Sequence, residues 1–222
     1  KMPNGVIKDG YYLKGWATKK GATDAEYKFG VDYKIDKNLS LYAVWGNSTW
    51  TEEVASSFAG GDGTEQNPYQ ISNAAELAYL AKTVNTQSTT PEYKYYILTD
   101  NINLGYSEWT PIGIYDNTNQ YFCGSLDGNG YTISDLYISG AATPYIGLFG
   151  YAKNSVFKNI TLAGTIEGIQ VSDNNYYYNI GGMCGYTEKT DFTDCKAAFF
   201  NIAGVENNSS RVYVGCLAGR IY

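Results

Sequence analysis

Apolar and polar residues alternate with a period of two over most of this chain. In NLSLYAVW, Leu39, Leu41 and Ala43 alternate with Ser40, Tyr42 and Val44, the pattern of a half-buried strand. From Glu92 onward short runs of the same kind (YYILTDNINL, WTPIGI, YFCGSL, YTISDLYI) follow one another, separated by the turn dipeptides Asp116-Asn117, Asp127-Gly128 and Asn129-Gly130. One stretch breaks the alternation. Ala74, Leu77, Ala78, Ala81 and Val84 recur at helical spacing, and Asn73 with Glu76 three places later has the spacing of a capping box. The pattern predicts one amphipathic helix over about residues 74–85 in an otherwise strand-rich chain. Residues 46–62, which contain NSTWTEEVASSFAGGD, show neither period and read as a linker.

The strand-rich part also repeats itself. Ile133-Ser134-Asp135-Leu136, Phe157-Lys158-Asn159-Ile160 and Phe192-Thr193-Asp194-Cys195 share one apolar-polar order at steps of 24 and 35 residues. A glycine-flanked apolar stretch follows each: Gly147 to Gly150, Gly182 to Gly185, and Cys216 to Gly219. A unit of this kind cannot bury its own apolar side, whereas stacking on a neighbour at about 4.8 Å completes a continuous core. The expected fold is therefore a mostly β solenoid. Its glycines should stand where the backbone bends or takes positive φ. Each pair between them (Leu148-Phe149, Met183-Cys184, Leu217-Ala218) should put one residue inside and one outside. Asp135, Asn159 and Asp194 should stack at a turn, as a structural polar ladder or as a metal or sugar site.

Two resemblances carry the reading further. Gly10, Tyr11, Leu13, Gly15 and Trp16, followed by Leu39, Leu41, Tyr42, Ala43 and Trp45, resemble the second half of the internalin-type B repeat of bacterial surface proteins. That implies a small, incomplete β-grasp-like module whose first strand lies upstream of Lys1. From Gly63 to Tyr222, the segments LTDNINL, WTPIG and GSLDGNGYTI and then the Gly-Leu-x-Gly stretches resemble the GLUG-motif, adhesin-like bacterial surface proteins. The third unit departs from them, with Cys216 in place of the first glycine. This resemblance implies a right-handed parallel β-helix capped at its N-terminal end by the helix after Asn73, an extracellular place on the bacterial cell surface, and a chain that continues past Tyr222. The implied division is 1–45, partial repeat; 46–62, linker; 63–222, β-helix.

Composition narrows the chemistry. Aromatic residues make up 16% of the chain and Tyr alone fills 23 positions, which favours strands. The net charge is -6 and the only arginines are Arg211 and Arg220, so nucleic acid is not an expected partner. No apolar run approaches the roughly 18 residues of a membrane span. The chain has no His, which removes Ser-His-Asp and Cys-His catalysis. Asp116, Asp127, Asp135 and Asp194 could supply the paired carboxylates of a glycosidase, but turn chemistry explains them equally. Asp127-Gly128-Asn129-Gly130 lacks the later Glu of a calcium loop, and neither a metal nor a cofactor is expected. Cys123, Cys184, Cys195 and Cys216 read as small buried residues, with a Cys184 to Cys216 bridge left open. The candidate binding residues are Asp173, Asn174 and Asn175 with Tyr176, Tyr177 and Tyr178, amphipathic rings beside amide and carboxylate groups; alternation along a strand would bury at least one of the rings. The expected function is non-enzymatic: adhesion or ligand display toward a host protein or glycan. A polysaccharide-processing enzyme and a bare spacer are the alternatives. An open C-terminal edge could also pair with another chain.

Overall fold

The computed structural model describes residues 11–27, 33–34, 37–47, 52–114, 119–139, 143–171, 177–203, 206–207 and 211–222. Strands Tyr11–Ala17 and Tyr42–Asn47 form an antiparallel hairpin with an irregularity between Leu13 and Gly15. Gly15 is required there: its φ is +142°, and a Cβ would fall 2.4 Å from the Tyr27 carbonyl oxygen. Trp16, Ala17 and Val44 are buried. Of the alternating run from Leu39, only the part from Tyr42 pairs as strand, and Gly10 lies outside the described residues.

Beyond Gly60 the chain winds into a parallel β-solenoid of about three turns. Its first face is a five-stranded ladder, Tyr69–Ile71, Lys94–Leu98, Gly124–Asp127, Val156–Lys158 and Asp191–Thr193. The second face stacks Ile102–Asn103, Thr132–Ser139, Thr161–Glu167 and Lys196–Ala203; the third, Tyr145–Ile146, Tyr178–Gly181 and Val212–Gly215; the fourth, Phe149–Lys153, Cys184–Glu188 and Ala218–Ile221. Every pairing between these coils is parallel. The registers put like on like. Tyr69, Tyr96, Leu126, Phe157 and Phe192 form one inward file on the first face, and Phe122, Phe149 and Phe157 meet in the interior with ring centroids 4.7–5.5 Å apart.

The true repeat steps are those of Leu126, Phe157 and Phe192, 31 and then 35 residues. The equivalence of Ile133 with Phe157 is therefore wrong: Ile133 belongs to the second face, opposite Leu162. The column of Asp135, Asn159 and Asp194 dissolves for the same reason. Asn159 and Asp194 do occupy equivalent turns, both left-handed, with φ of 56° and 51°, and the Asn159 amide donates to the Thr193 carbonyl at 3.0 Å. Asp135 instead is a left-handed residue, φ 57°, at an irregularity inside strand Thr132–Ser139, where Leu162 pairs Ile133 but Gly164 pairs Leu136. A second left-handed turn, at Asn154 and Lys189, leads from the fourth face back to the first. Asn or Asp thus makes three of these four left-handed bends, with Lys189 the exception.

The corner between the third and fourth faces is built differently. Gly150, Gly185 and Gly219 stand in file, between the pairs Phe149, Cys184, Ala218 and Tyr151, Tyr186, Arg220. Neither these glycines nor Gly147, Gly181 and Gly215 have positive φ, so the reason for glycine is close approach. A Cβ on Gly185 would lie 2.5 Å from the Ile146 nitrogen, and one on Gly181 2.1 Å from the Cys184 oxygen. The two faces meet backbone to backbone. Both residues of each intervening pair turn inward at so sharp a bend: Leu148, Phe149, Met183 and Cys184 are all buried, and one-in, one-out alternation fails there. Leu217 and Ala218 are half-buried.

The helix runs Ala74–Thr86, with the Asn73 side chain accepting from the Glu76 amide. The Glu76 carboxylate reaches back to the Ser72 amide at 2.6 Å, one residue before the cap. Its apolar stripe, Leu77, Leu80, Ala81 and Val84, joins the same buried cluster as Leu98, Leu104 and Ile112. Part of the stretch read as a linker is packed against this end: the Ala59 amide donates to the Gln70 carbonyl, the Ala55 amide to that of Ala75, and Phe58 packs on Tyr69 and Tyr79. All four thiols are free. Only Cys184 is fully buried, Cys123 and Cys195 are half-buried, and Cys216 is exposed, so the reading of four buried residues holds for one.

Candidate functional site

Of the candidate binding residues, Asp173, Asn174, Asn175 and Tyr176 lie outside the described residues, as do Asp116 and Asn117. Tyr177 and Tyr178 separate as strand alternation requires: Tyr178 is buried, while Tyr177 is 40% exposed. What surrounds Tyr177 is an aromatic and cationic face that local motifs do not reveal.

The glycine corner organises it. One residue beyond each glycine of the file comes an outward side chain, in register Tyr151, Tyr186 and Arg220. Across the corner, the third face presents Tyr145, Asn179 and Tyr213 in register. Because glycine lets the two backbones meet, rings from either side stack, Tyr145 on Tyr186 with centroids 5.0 Å apart and planes at 21°, while Tyr151 and Tyr186, neighbours on one face, lie 5.4 Å apart and tilted by 52°. The Arg220 guanidinium lies 5.2 Å from the ring of Tyr213, 5.5 Å from that of Tyr177 and 5.9 Å from that of Tyr186. Arg211 lies 4.7 Å from the Tyr177 ring and donates to its hydroxyl. Such contacts contribute about 0.5–1 kcal/mol each at exposed sites. Neither guanidinium is paired with a carboxylate among the described residues. Beneath them Asn179 is buried with its Oδ1 unpartnered.

An anionic group closes the other end of this face. The Glu188 carboxylate accepts from the hydroxyls of Tyr151 at 3.0 Å and Tyr186 at 3.2 Å and pairs with Lys153 at 2.9 Å. Burial pushes the Glu188 pKa up, but Lys153 and the two hydroxyls outweigh it and hold the carboxyl below its ordinary value. The Tyr186 hydroxyl is pushed up by burial and by Glu188. The face thus carries its own compensated ion pair at Glu188 and Lys153 and an uncompensated positive end at Arg211 and Arg220. Tyr, Tyr and Arg following three glycines at steps of 35 and 34 was a legible signal. Arg220 was hidden because it stands where the earlier coils have Tyr.

Of the carboxylates considered for glycoside chemistry, Asp116 lies outside the described residues and the other three each serve a different local contact. Asp127 holds the turn beside it, accepting from the Asn129 amide at 2.8 Å and Asn159 Nδ2 at 3.0 Å and pairing with Lys158 at 3.2 Å. Asp135 takes the Asn103 amide group, and Asp194 occupies the turn above Asn159. Among the described residues no group of three or more Cys, Asp or Glu could hold a metal ion, and no helix is long and apolar enough to cross a membrane.

Residues 1–44 match the Listeria-Bacteroides repeat domain. Over 151 residues, 61% of this chain, the sequence is 37% identical to a protein of Evansella cellulosilytica named as a Gly-rich membrane protein. Over 198 residues, 72% of the chain, it is 30% identical to halomucin of Haloquadratum walsbyi. The matches span 16% of the length of the first relative and 2% of the second. Among solved structures, a Bacteroides ovatus protein described as an immunoglobulin A1 protease is similar over 74% of this chain and 65% of its own, at 15% identity and a TM-score of 0.38.

Proposed function

We propose that this chain is a non-enzymatic segment of a bacterial cell-surface protein, outside the cell, in which a right-handed solenoid serves as a rigid rod and the tyrosine-arginine face contacts an acidic glycan or an acidic segment of a host protein. The single observation that carries the reading is the pair of guanidiniums, Arg211 and Arg220, held over exposed rings without carboxylate partners among the described residues. Planar cations on ring faces offer fork-shaped donors to carboxylate or sulfate groups while the rings cover the sugar or side chain behind them. The names of the relatives, a Gly-rich membrane protein and a halomucin, favour a surface location. The GLUG-type segments and the internalin-like signature around Trp16 and Trp45 favour an adhesive protein. In this reading the boundary between repeat module and solenoid falls within 46–62, and the helix Ala74–Thr86 covers the solenoid's first coil.

The test is a glycan array holding sialylated, sulfated and uronic acid glycans beside their neutral counterparts, probed with the 222-residue chain. Binding to acidic members that falls with salt, and that Arg220→Ala with Tyr177→Ala reduces about tenfold or more, is the expected result. Binding indifferent to both substitutions would sink it, and so would release of reducing or unsaturated ends from any polysaccharide.

A further inference from the structure

The inward file of the first face changes character along the rod. Later coils place Leu126, Phe157 and Phe192 in it, but the first two strands place Tyr69 and Tyr96 there. A hydroxyl directed into an apolar interior costs free energy unless it finds a partner. The Tyr96 side chain is buried, 8% exposed, with its ring 5.6 Å from those of Phe58 and Tyr69 and 5.7 Å from that of Phe122. Its hydroxyl makes no hydrogen bond among the described residues, yet it is not one of their sealed, unpartnered polar atoms, so it opens to solvent, and burial of the ring pushes its pKa up. The residue lines a groove of about 440 Å³, walled by Phe58 and Tyr69 on one side, by Tyr79 of the helix and Gln87 just past its end on another, and by Tyr121. That volume falls in the range of roughly 300–1,000 Å³ typical of small-ligand sites.

The lining specifies the ligand's chemistry. Ring faces supply apolar surface, while the hydroxyls of Tyr69, Tyr79 and Tyr96 and the neighbouring Thr83 supply donors and acceptors at several heights. Among the groove's described lining residues the only charges, Lys94 and Glu92, neutralise each other at 2.9 Å. Such a site suits a neutral molecule with one apolar face and a rim of hydroxyls. We infer that this groove, which shares no lining residue with the tyrosine-arginine face although its Tyr121 packs 5.5 Å from Tyr151 of that face, binds a neutral pyranose ring of a saccharide, with Tyr96 hydrogen-bonding a sugar hydroxyl.

Saturation-transfer NMR on the 222-residue chain with the methyl β-pyranosides of glucose, galactose and mannose tests this. Transfer to the ring C–H protons of at least one sugar is expected. Tyr96→Phe, which puts in place the residue that later coils use, should keep the fold by circular dichroism and weaken binding about three- to tenfold, the usual range for one lost hydrogen bond. Tyr79→Ala should weaken it further, and Tyr177→Ala should leave it unchanged. Transfer to none of the three sugars overturns the assignment, as does transfer undiminished in both groove variants. Methyl glucuronide bound as well as the neutral sugars would overturn the neutral specificity.

Discussion

Phe157 and Phe192 hold the same place in consecutive coils, paired in register on the first face and stacked with centroids 5.4 Å apart. Phe157 is wholly buried and Phe192 only partly so. The same contrast runs through the glycine corner, where Leu148 and Met183 are buried but Leu217 is half-buried. Residue type does not explain it, because the repeating unit is nearly the same in each coil. What differs is the number of neighbours: the coil of Phe157 and Met183 is stacked on both sides and Leu148 is covered by the segment of Ile112, whereas the coil of Phe192 and Leu217 is stacked on one side among the described residues. In a solenoid the weight of a side chain is set by the coils above and below it. Sequence position within the repeat names the role, and position in the stack decides the energy.

The largest test of that contrast is Phe157→Ala against Phe192→Ala. Truncating a buried Phe costs about 3–5 kcal/mol, so Phe157→Ala should lower the urea midpoint severely. Phe192→Ala leaves an indentation open to solvent rather than a closed cavity, and its cost should be less than half as large. Equal losses at the two positions would show that a second stacked neighbour does not set the cost of the truncation.

Gly185→Ala against Gly219→Ala sharpens the point at the corner. Each added Cβ would lie 2.5 Å from a backbone nitrogen, that of Ile146 or of Ile180. Gly185 sits in a strand paired on both sides, between Phe149–Lys153 and Ala218–Ile221, whereas Gly219 sits in a strand paired on one. Overpacking of about 1–3 kcal/mol is expected at Gly185 and a smaller loss at Gly219, where the strand can shift outward. Thermal unfolding of the two variants makes the comparison, and the Tyr186 ring should lose its stack on Tyr145 in the first of them.

How far the sequence reveals all this depends on what each residue answers to. The helix and the strands are legible because solvent on one side and core on the other impose a period. The file of Gly150, Gly185 and Gly219 is legible because backbone contact admits a single residue type at a fixed place in each coil. The register of the earlier coil is not. Its turn after Asp127 is longer than the turns after Lys158 and Thr193, and Ile133-Ser134-Asp135-Leu136 copies the pattern of the next unit while lying on another face. The tyrosine-arginine face was legible only once coils were aligned, since Tyr145, Tyr186 and Arg220 are 34 or more residues apart in the chain and meet through stacking alone. The first-coil groove leaves no local motif at all; it arises where Phe58 and the helix flank two tyrosines of an otherwise apolar file.

A smaller effect separates the left-handed turn residues. Asn159, φ 56°, donates to Asp127 from its side chain, so Asn159→Ala should lose both the tolerance of that backbone and the hydrogen bond, about 1 kcal/mol. Asn159→Gly keeps the backbone and should recover part of the loss. If the two variants melt together, left-handed strain is not what selects asparagine at this bend.

The finest distinction lies between two aspartates at irregular points of neighbouring faces, and it appears as a difference in sign. Burial pushes the Asp127 pKa up, but Asn159, the Asn129 amide and Lys158 together hold it below its ordinary value. Burial also dominates at Asp135, and there the Asn103 hydrogen bond does not offset it, so its pKa is raised. A lowered pKa means that the folded state binds the proton less tightly, so Asp127 contributes stability that is present above the ordinary carboxylate pKa of about 3.9 and fades as pH falls through the folded value. A raised pKa means the reverse, and Asp135 favours the fold below about 3.9 and loses that contribution as pH rises through its folded value. Urea unfolding at pH 3, 5 and 7 should therefore find Asp127→Asn losing ground to the parent chain as pH rises, and Asp135→Asn gaining it. Parallel profiles for the two variants would mean that the strand irregularity at Asp135 exposes its carboxylate as fully as the turn exposes that of Asp127.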